Sequence, residues 1–169
     1  MRQRQVVQGT RRAREFEAFV AGASGRLLHT ATLLTAEAPD DNPRARRLLT
    51  LALAHTYACW DRLRGEDPYD RARQYLALRF AHGAWRRHGL LLRGRTHPTS
   101  PLALLTPQER LIVVLRLYEG VAEEQAAALL GLPTERVRIM CDRATASLLH
   151  PPRATAPAVV GAKAKVAAS

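Results

Sequence analysis

Few residues in this chain have the type and spacing to do chemistry. His55 and Cys59 stand four apart, on one face of any helix that holds them, and could supply two zinc ligands, but no second pair at ligand spacing follows. The acid pairs Asp40-Asp41 and Glu66-Asp67 fall where helices are expected to begin, and a helix N-terminus favours negative charge without any catalytic role. No nucleophile motif, glycine-rich phosphate loop or carboxylate constellation is present. The expectation is a protein that is not an enzyme and that needs neither cofactor nor metal. The two cysteines, Cys59 and Cys141, are too few for a disulfide framework and fit a reducing compartment; Cys141 reads as a packing thiol.

Charge points to binding instead. The 169 residues carry 26 Lys plus Arg against 15 Asp plus Glu, a formal charge of +11, which suits a polyanionic partner. Residues 1–100 hold 18 arginines against 9 acids, and both lysines, Lys163 and Lys165, lie near the C-terminus. Arginine grips phosphate with a rigid bidentate fork, although the same residues could form only a solvated face. The most informative stretch is EEQAAALLGLPTERVRIMCD, residues 123–142, which fits a helix-turn-helix. Ala127 is small where two helices approach, Gly131 can take the positive φ of the turn, and Val137 and Met140 fall on the inner side of the second helix. That helix would expose Glu135, Arg136, Arg138, Ile139 and Arg143, with Thr134 at its start, to phosphates and base edges of a major groove. A plain αα-hairpin in a bundle would satisfy the same pattern.

The elements that must position these residues are helical, since Ala, Leu and Arg recur at helical spacings and period-two alternation is nearly absent. A first helix is expected over 14–35, with Ser24-Gly25 as its weak point. A second is expected over 43–63, opened by Asn42 as N-cap and Pro43 at its first position, with an inner face of Leu49, Ala52, Leu53, Thr56, Tyr57 and Trp60. Asp67-Pro68 repeats the device and opens a third helix to His88, with Tyr69, Ala72, Leu76, Phe80 and Ala84 inward and Arg71, Arg79, Arg86 and Arg87 on the other face. GLLLRGRTHPTSP resists regular structure and reads as a flexible linker. Thr106-Pro107-Gln108-Glu109 is a capping box that starts a helix through Glu119, followed by helices over 123–130 and 134–149. The expected organisation is all-α: a helical domain over 14–88, a linker over 89–104, a helix-turn-helix domain over 105–149 and a disordered tail over 150–169. The longest uncharged apolar stretch, Leu48 to Trp60, is too short to span a membrane, and the N-terminus does not read as a secretory signal, so a cytoplasmic protein is expected.

Over residues 15–149 the sequence resembles the bacterial RNA polymerase sigma factors of the extracytoplasmic-function (ECF) type, particularly the short actinobacterial form. The strings LTPQERLIVVLRLYEG and VAEEQAAALLGLPTERVRIMCDRATASLL are similar to that family's region 4, and FEAFVAGASGRLLHTATLLTAE, RARRLLTLALAHTYACW and RQYLALRFAHGAWRRHG to its region 2. The resemblance implies a transcription initiation factor that binds promoter DNA and directs core RNA polymerase, with an anti-sigma factor as a further partner and no membrane contact. It places Arg136, Arg138 and Arg143 near the upstream promoter element, with Ile139 at the position of a usual Ser and Pro133 at that of a capping Ser. Arg79, Trp85, Arg86 and Arg87 fall where region 2 handles the melted downstream element, and a ring beside guanidiniums suits single-stranded DNA. Where the family's DLVQE offers acidic and amide side chains to polymerase, this chain has Arg47, Thr50 and Leu51. That reversal leaves a second reading open: a degenerate sigma-like regulator or adaptor, binding DNA or another protein without normal polymerase engagement.

Overall fold

The computed structural model describes residues 2–63, 65–88 and 100–150, with the backbone path alone for residues 2–7 and 85–88. Most of the expected linker and tail, residues 89–99 and 151–169, lies outside the described residues. Within these limits every regular element is helical: α1 (Arg2–Thr35), α2 (Pro43–Cys59), α3 (Pro68–His88), α4 (Pro107–Val113), α5 (Glu123–Leu130) and α6 (Thr134–Leu149). Among the described residues, no helix is long and apolar enough to cross a membrane.

Helix α1 begins at Arg2, twelve residues before the expected start, and runs unbroken through Ser24-Gly25. A glycine inside a helix costs roughly 1 kcal/mol relative to alanine, and the burial of Ala23, Leu27, Ala31 and Leu34 around it exceeds that. Thr30, Thr32 and Thr35 share this buried stretch, and the Thr32 and Thr35 hydroxyls donate to the carbonyls four residues back, at 2.9 and 3.0 Å. Helix α2 ends at Cys59 and continues only as a 3₁₀ turn, Trp60–Arg62. Its inner face is Ala45, Ala52 and Thr56, while Tyr57, expected inward, is 39% exposed and packs its ring against Phe16.

The start of α2 corrects the sequence reading. Asn42 is buried but its side chain caps nothing: it donates to Pro39 O at 2.9 Å and accepts from Arg46 Nε at 2.9 Å. The cap is Glu37, which reaches across the loop and accepts the backbone N–H of Arg44 at 3.1 Å and of Ala45 at 2.8 Å. Burial would raise its carboxyl pKa, but these donors and the Arg44 guanidinium outweigh that and hold it below the usual carboxylate range. Asp67 behaves as expected, accepting Tyr69 N–H at 2.8 Å at the head of α3. Of the arginines placed on α3's outer face, Arg79 is exposed and Arg71 is partly buried, paired with Glu66 at 3.0 Å.

The capping box of α4 forms in full: Glu109 N–H donates to Thr106 Oγ1 at 3.3 Å, and Thr106 N–H donates to Glu109 Oε2 at 3.0 Å. Pro101–Leu104, expected within the linker, instead form a 3₁₀ turn capped by the Ser100 side chain, because Leu102 and Leu105 pack beside Val113, Ala144 and Leu148. Beyond Val113 the helix widens into a π turn, Val114–Tyr118, rather than continuing as α-helix to Glu119.

The N-terminal helices α1–α3 and the C-terminal helices α4–α6 share one apolar core. A single cluster of buried residues runs from Leu34, Ala45, Leu76 and Phe80 through Leu111, Ile112 and Leu115 to Ala126 and Val137. The seam is also polar. Arg110 donates to the α1 carbonyl of Leu34 at 3.0 Å, and Glu119 is inserted between α1 and α3. Burial and the nearby Arg44 depress the Arg110 pKa.

Candidate nucleic-acid interface

The turn between α5 and α6 is built on backbone conformation. Gly131 adopts φ +64°, a left-handed geometry that a side chain resists, and terminates α5. Leu132 N–H donates back to Ala127 O at 3.0 Å and Gly131 N–H to Ala128 O at 3.4 Å, closing the end of the helix in a Schellman arrangement. Ala126 and Ala127 are buried, so α6 can cross close to α5. Pro133 supplies the first carbonyl of α6, accepting from Arg136 and Val137 N–H, but it has no side chain to cap with, and none caps this helix.

Helix α6 separates its residues by face. Val137, Cys141 and Ala144 are buried and Met140 is partly so, against Glu135, Arg136, Arg138, Ile139, Asp142 and Arg143 on the exposed side. Thr134 is partly buried at the first position. Ile139 is 56% exposed, so its apolar side chain is presented to solvent among the guanidiniums. Arg138 lies along the helix and donates from Nε to Glu135 at 3.0 Å. The bond draws the Glu135 carboxyl below its ordinary range and raises Arg138. Arg143 approaches Glu109 of the α4 capping box at 3.7 Å, while Arg136 has no ion pair among the described residues. Three guanidiniums and an apolar contact thus stand on one helix face, the composition needed to hold phosphates and touch a base edge. Burial raises the Cys141 thiol pKa, as for an inert packing residue.

On the N-terminal half, Arg47 and Thr50 are exposed on the side of α2 opposite its buried face, and Leu51 beside them is half-buried. Thr50 returns its hydroxyl to Arg46 O at 2.9 Å. Trp85, Arg86 and Arg87 occupy the last turn of α3, but their side chains lie outside the described residues. His55 stacks on Tyr75 with ring centroids 4.0 Å apart, its Nε2 3.9 Å from Cys59 Sγ. Among the described residues no group of three or more His, Cys, Asp or Glu could hold a metal ion.

Comparison with known proteins agrees with this geometry. Residues 102–149 match the family described as Sigma-70, region 4, and so span the 3₁₀ turn and α4–α6. Over 152 residues the chain is 29% identical to an RNA polymerase sigma-E factor of Streptomyces coelicolor, covering 79% of this chain and 84% of the relative. The chain is thus similar to RNA polymerase sigma factors, over its C-terminal helices by family and over most of its length by these relatives. Another sigma-E factor, from Streptomyces avermitilis, is 28% identical over 156 residues, covering 79% of this chain and 83% of the relative. No solved structure matches. Because these alignments are three times as long as the region 4 match, the likeness of this chain to its relatives extends through its N-terminal helices.

Sequence reasoning missed one group altogether, the ring of side chains around Glu119: Arg26, Thr30, Tyr69 and Arg73. An isolated Glu inside the apolar run VVLRLYEG was the only trace of it.

Proposed function

We propose that this chain is a sigma factor of the ECF type that directs core RNA polymerase to promoters, with α6 reading duplex DNA and the N-terminal helices engaging polymerase and the opened strand. The observation that carries the reading is the exposed face of α6, with Arg136, Arg138, Ile139 and Arg143 outward and Val137 fully buried behind them, inside the segment that matches region 4. Within it, Arg136 and Arg143 hold backbone phosphates, while Arg138, Thr134, Glu135 and Ile139 contact base edges. Arg79 with Trp85, Arg86 and Arg87 handles single-stranded DNA, and Arg47, Thr50 and Leu51 face polymerase. The chain performs no chemistry itself, works in the cytoplasm and is open to control by an anti-sigma factor.

Reconstituted initiation with purified core polymerase on a promoter library tests the reading. Promoter-dependent transcripts are expected, and the affinity of holoenzyme for its promoter falls steeply with salt. Arg136→Gln flattens the slope of log K against log salt by about 0.9, the share of one neutralised phosphate. Absence of transcripts with every promoter, or a slope indifferent to Arg136, would overturn the assignment.

A further inference from the structure

Helix α1 opens on a purely cationic stretch. Residues 1–14 hold five arginines, Arg2, Arg4, Arg11, Arg12 and Arg14, and no acid; the first carboxylate is Glu15. The resemblance to region 2 begins only at residue 15, so this stretch lies outside it. Residues 2–14 are nevertheless helical and continuous with the packed body of α1.

Arg12 fixes the direction in which the stretch leaves the bundle. Its Nη1 donates to Asp61 Oδ2 at 3.0 Å, its Nη2 donates to Tyr57 O, and the guanidinium lies over the Tyr57 ring, 4.3 Å from the centroid. Behind it Phe16, Tyr57 and Trp60 pack on one another, with the Phe16 ring centroid 4.8 Å from that of Tyr57 and 5.2 Å from that of Trp60. Ten helical residues precede Arg12, so α1 continues about 15 Å past this contact at 1.5 Å per residue. Gln8, Gly9, Thr10 and Arg11 are all exposed. Four consecutive residues, about 100° apart, cover every face of a helix, so no face of this turn is buried.

Alone, such a stretch is a poor helix. Val6, Val7, Gly9 and Thr10 have low helix propensity, ten residues fall short of the roughly 12–15 that an isolated helix needs, and Arg11 and Arg14, three apart on one face, repel each other. It is helical by propagation from the turn that Arg12 anchors, and a polyanion would convert its repulsion into attraction. Arg14 is exposed and has no ion pair among the described residues, and Arg11, its side chain 81% exposed, is paired with Glu15 at 2.7 Å in open solvent. No aromatic residue occurs before Phe16, and Arg12 lies over the Tyr57 ring, so the stretch lacks the stacking platform that single-stranded nucleic acid requires. Guanidiniums without rings suit the backbone of a duplex, which offers a phosphate about every 3.4 Å along each strand whatever its sequence.

We propose that the first turns of α1 form a further DNA contact, in which Arg11 and Arg14, with Arg2 and Arg4 before them, hold duplex phosphates without reading sequence. The Arg12–Asp61 contact puts this surface at the end of the N-terminal bundle where α2 finishes and α3 begins, whereas Trp85, Arg86 and Arg87 lie about 30 Å along α3, in its last turn. The contact therefore falls on duplex that flanks the opened strand. That placement rests on the function proposed above; the DNA contact itself is tested without polymerase.

In the full chain, Arg11→Gln with Arg14→Gln removes two exposed charges, and the helical circular dichroism is expected to stay unchanged. With the free chain and a short duplex of unrelated sequence, the slope of log K against log salt is expected to flatten by about 1.8, or 0.9 for each phosphate no longer neutralised, and the affinity to fall by the same factor on any other duplex. Arg2→Gln with Arg4→Gln flattens it by a similar amount, and Glu15→Gln, which frees Arg11, tightens binding. An unchanged slope, or a loss confined to one sequence, overturns the proposal. So does a variant that keeps its duplex affinity but loses core polymerase, which would give the face to a protein partner. If the double variant loses helical signal, Arg14→Gln alone decides, with an expected change of about 0.9. Should the wild-type chain direct no transcription with core polymerase, the functional reading fails while the free-chain measurement still judges this contact.

Discussion

Glu37 gives the most direct test of how the N-terminal helices are locked together. Its side chain is 10% exposed and accepts two backbone N–H groups of α2 and the Nε of Arg44 at 3.0 Å. Hydrogen bonds to a charged group contribute about 1.5–3 kcal/mol, and a carboxylate at a helix N-terminus about 0.3–1 more. Glu37→Gln keeps one acceptor oxygen and loses the charge, so a loss of about 2 kcal/mol is expected at pH 7, or about 4–8 °C in Tm for a chain of this size. The pH dependence carries the sign. The folded-state pKa lies below that of the unfolded chain, so the contribution is complete above the unfolded value, near pH 4.5, and disappears as pH falls through the lowered folded value. Urea denaturation of both proteins from pH 7 down to pH 3 should show their difference shrinking in acid. Equal stability at pH 7, or a gap that persists undiminished at pH 3, would refute the assignment of Glu37 as the cap.

Two further outcomes are expected. Gly131→Ala should cost about 1 kcal/mol, measured by thermal denaturation, because a Cβ there meets nothing within 4 Å and only the left-handed φ opposes it; a neutral result would mean that the turn tolerates another conformation. Restoring the family's acidic and amide side chains by Arg47→Asp and Thr50→Gln, both exposed, should strengthen binding to core polymerase by tenfold or more, since like charges at an interface can cost several kcal/mol. Leu51→Glu belongs to the same set but is half-buried, so its helical content must be matched first; unchanged or weaker binding would give this surface another partner.

What could be read from the sequence was what depends on near neighbours. The capping box at Thr106 and Glu109, the Asp67 cap and the left-handed Gly131 are each decided within four residues, and all three are present. The outward face of α6 was legible for the same reason, since a 3.6-residue period alone places Val137 and Cys141 opposite Arg136 and Arg143. Asn42 misled because residue type and position favoured a cap there, whereas a longer carboxylate from the preceding helix end reached the same N–H groups first. Glycine preference misled at Ser24-Gly25, where tertiary burial of Ala23 and Leu27 outweighed it. The Glu119 site was out of reach because its partners lie 89 and 50 residues away in the chain.

The polar groups in the seam fix how the two halves sit against each other. Arg110 and Glu119 lie on the C-terminal half and find their partners on the N-terminal half: a helix-terminal carbonyl for the cation, two hydroxyls and two guanidiniums for the anion. Two polar anchors of opposite sign, set around the apolar residues Leu111, Ile112 and Leu115, admit one register between the halves, because sliding would leave a buried charge unpaired. The apolar residues supply most of the attraction and the charges supply its address.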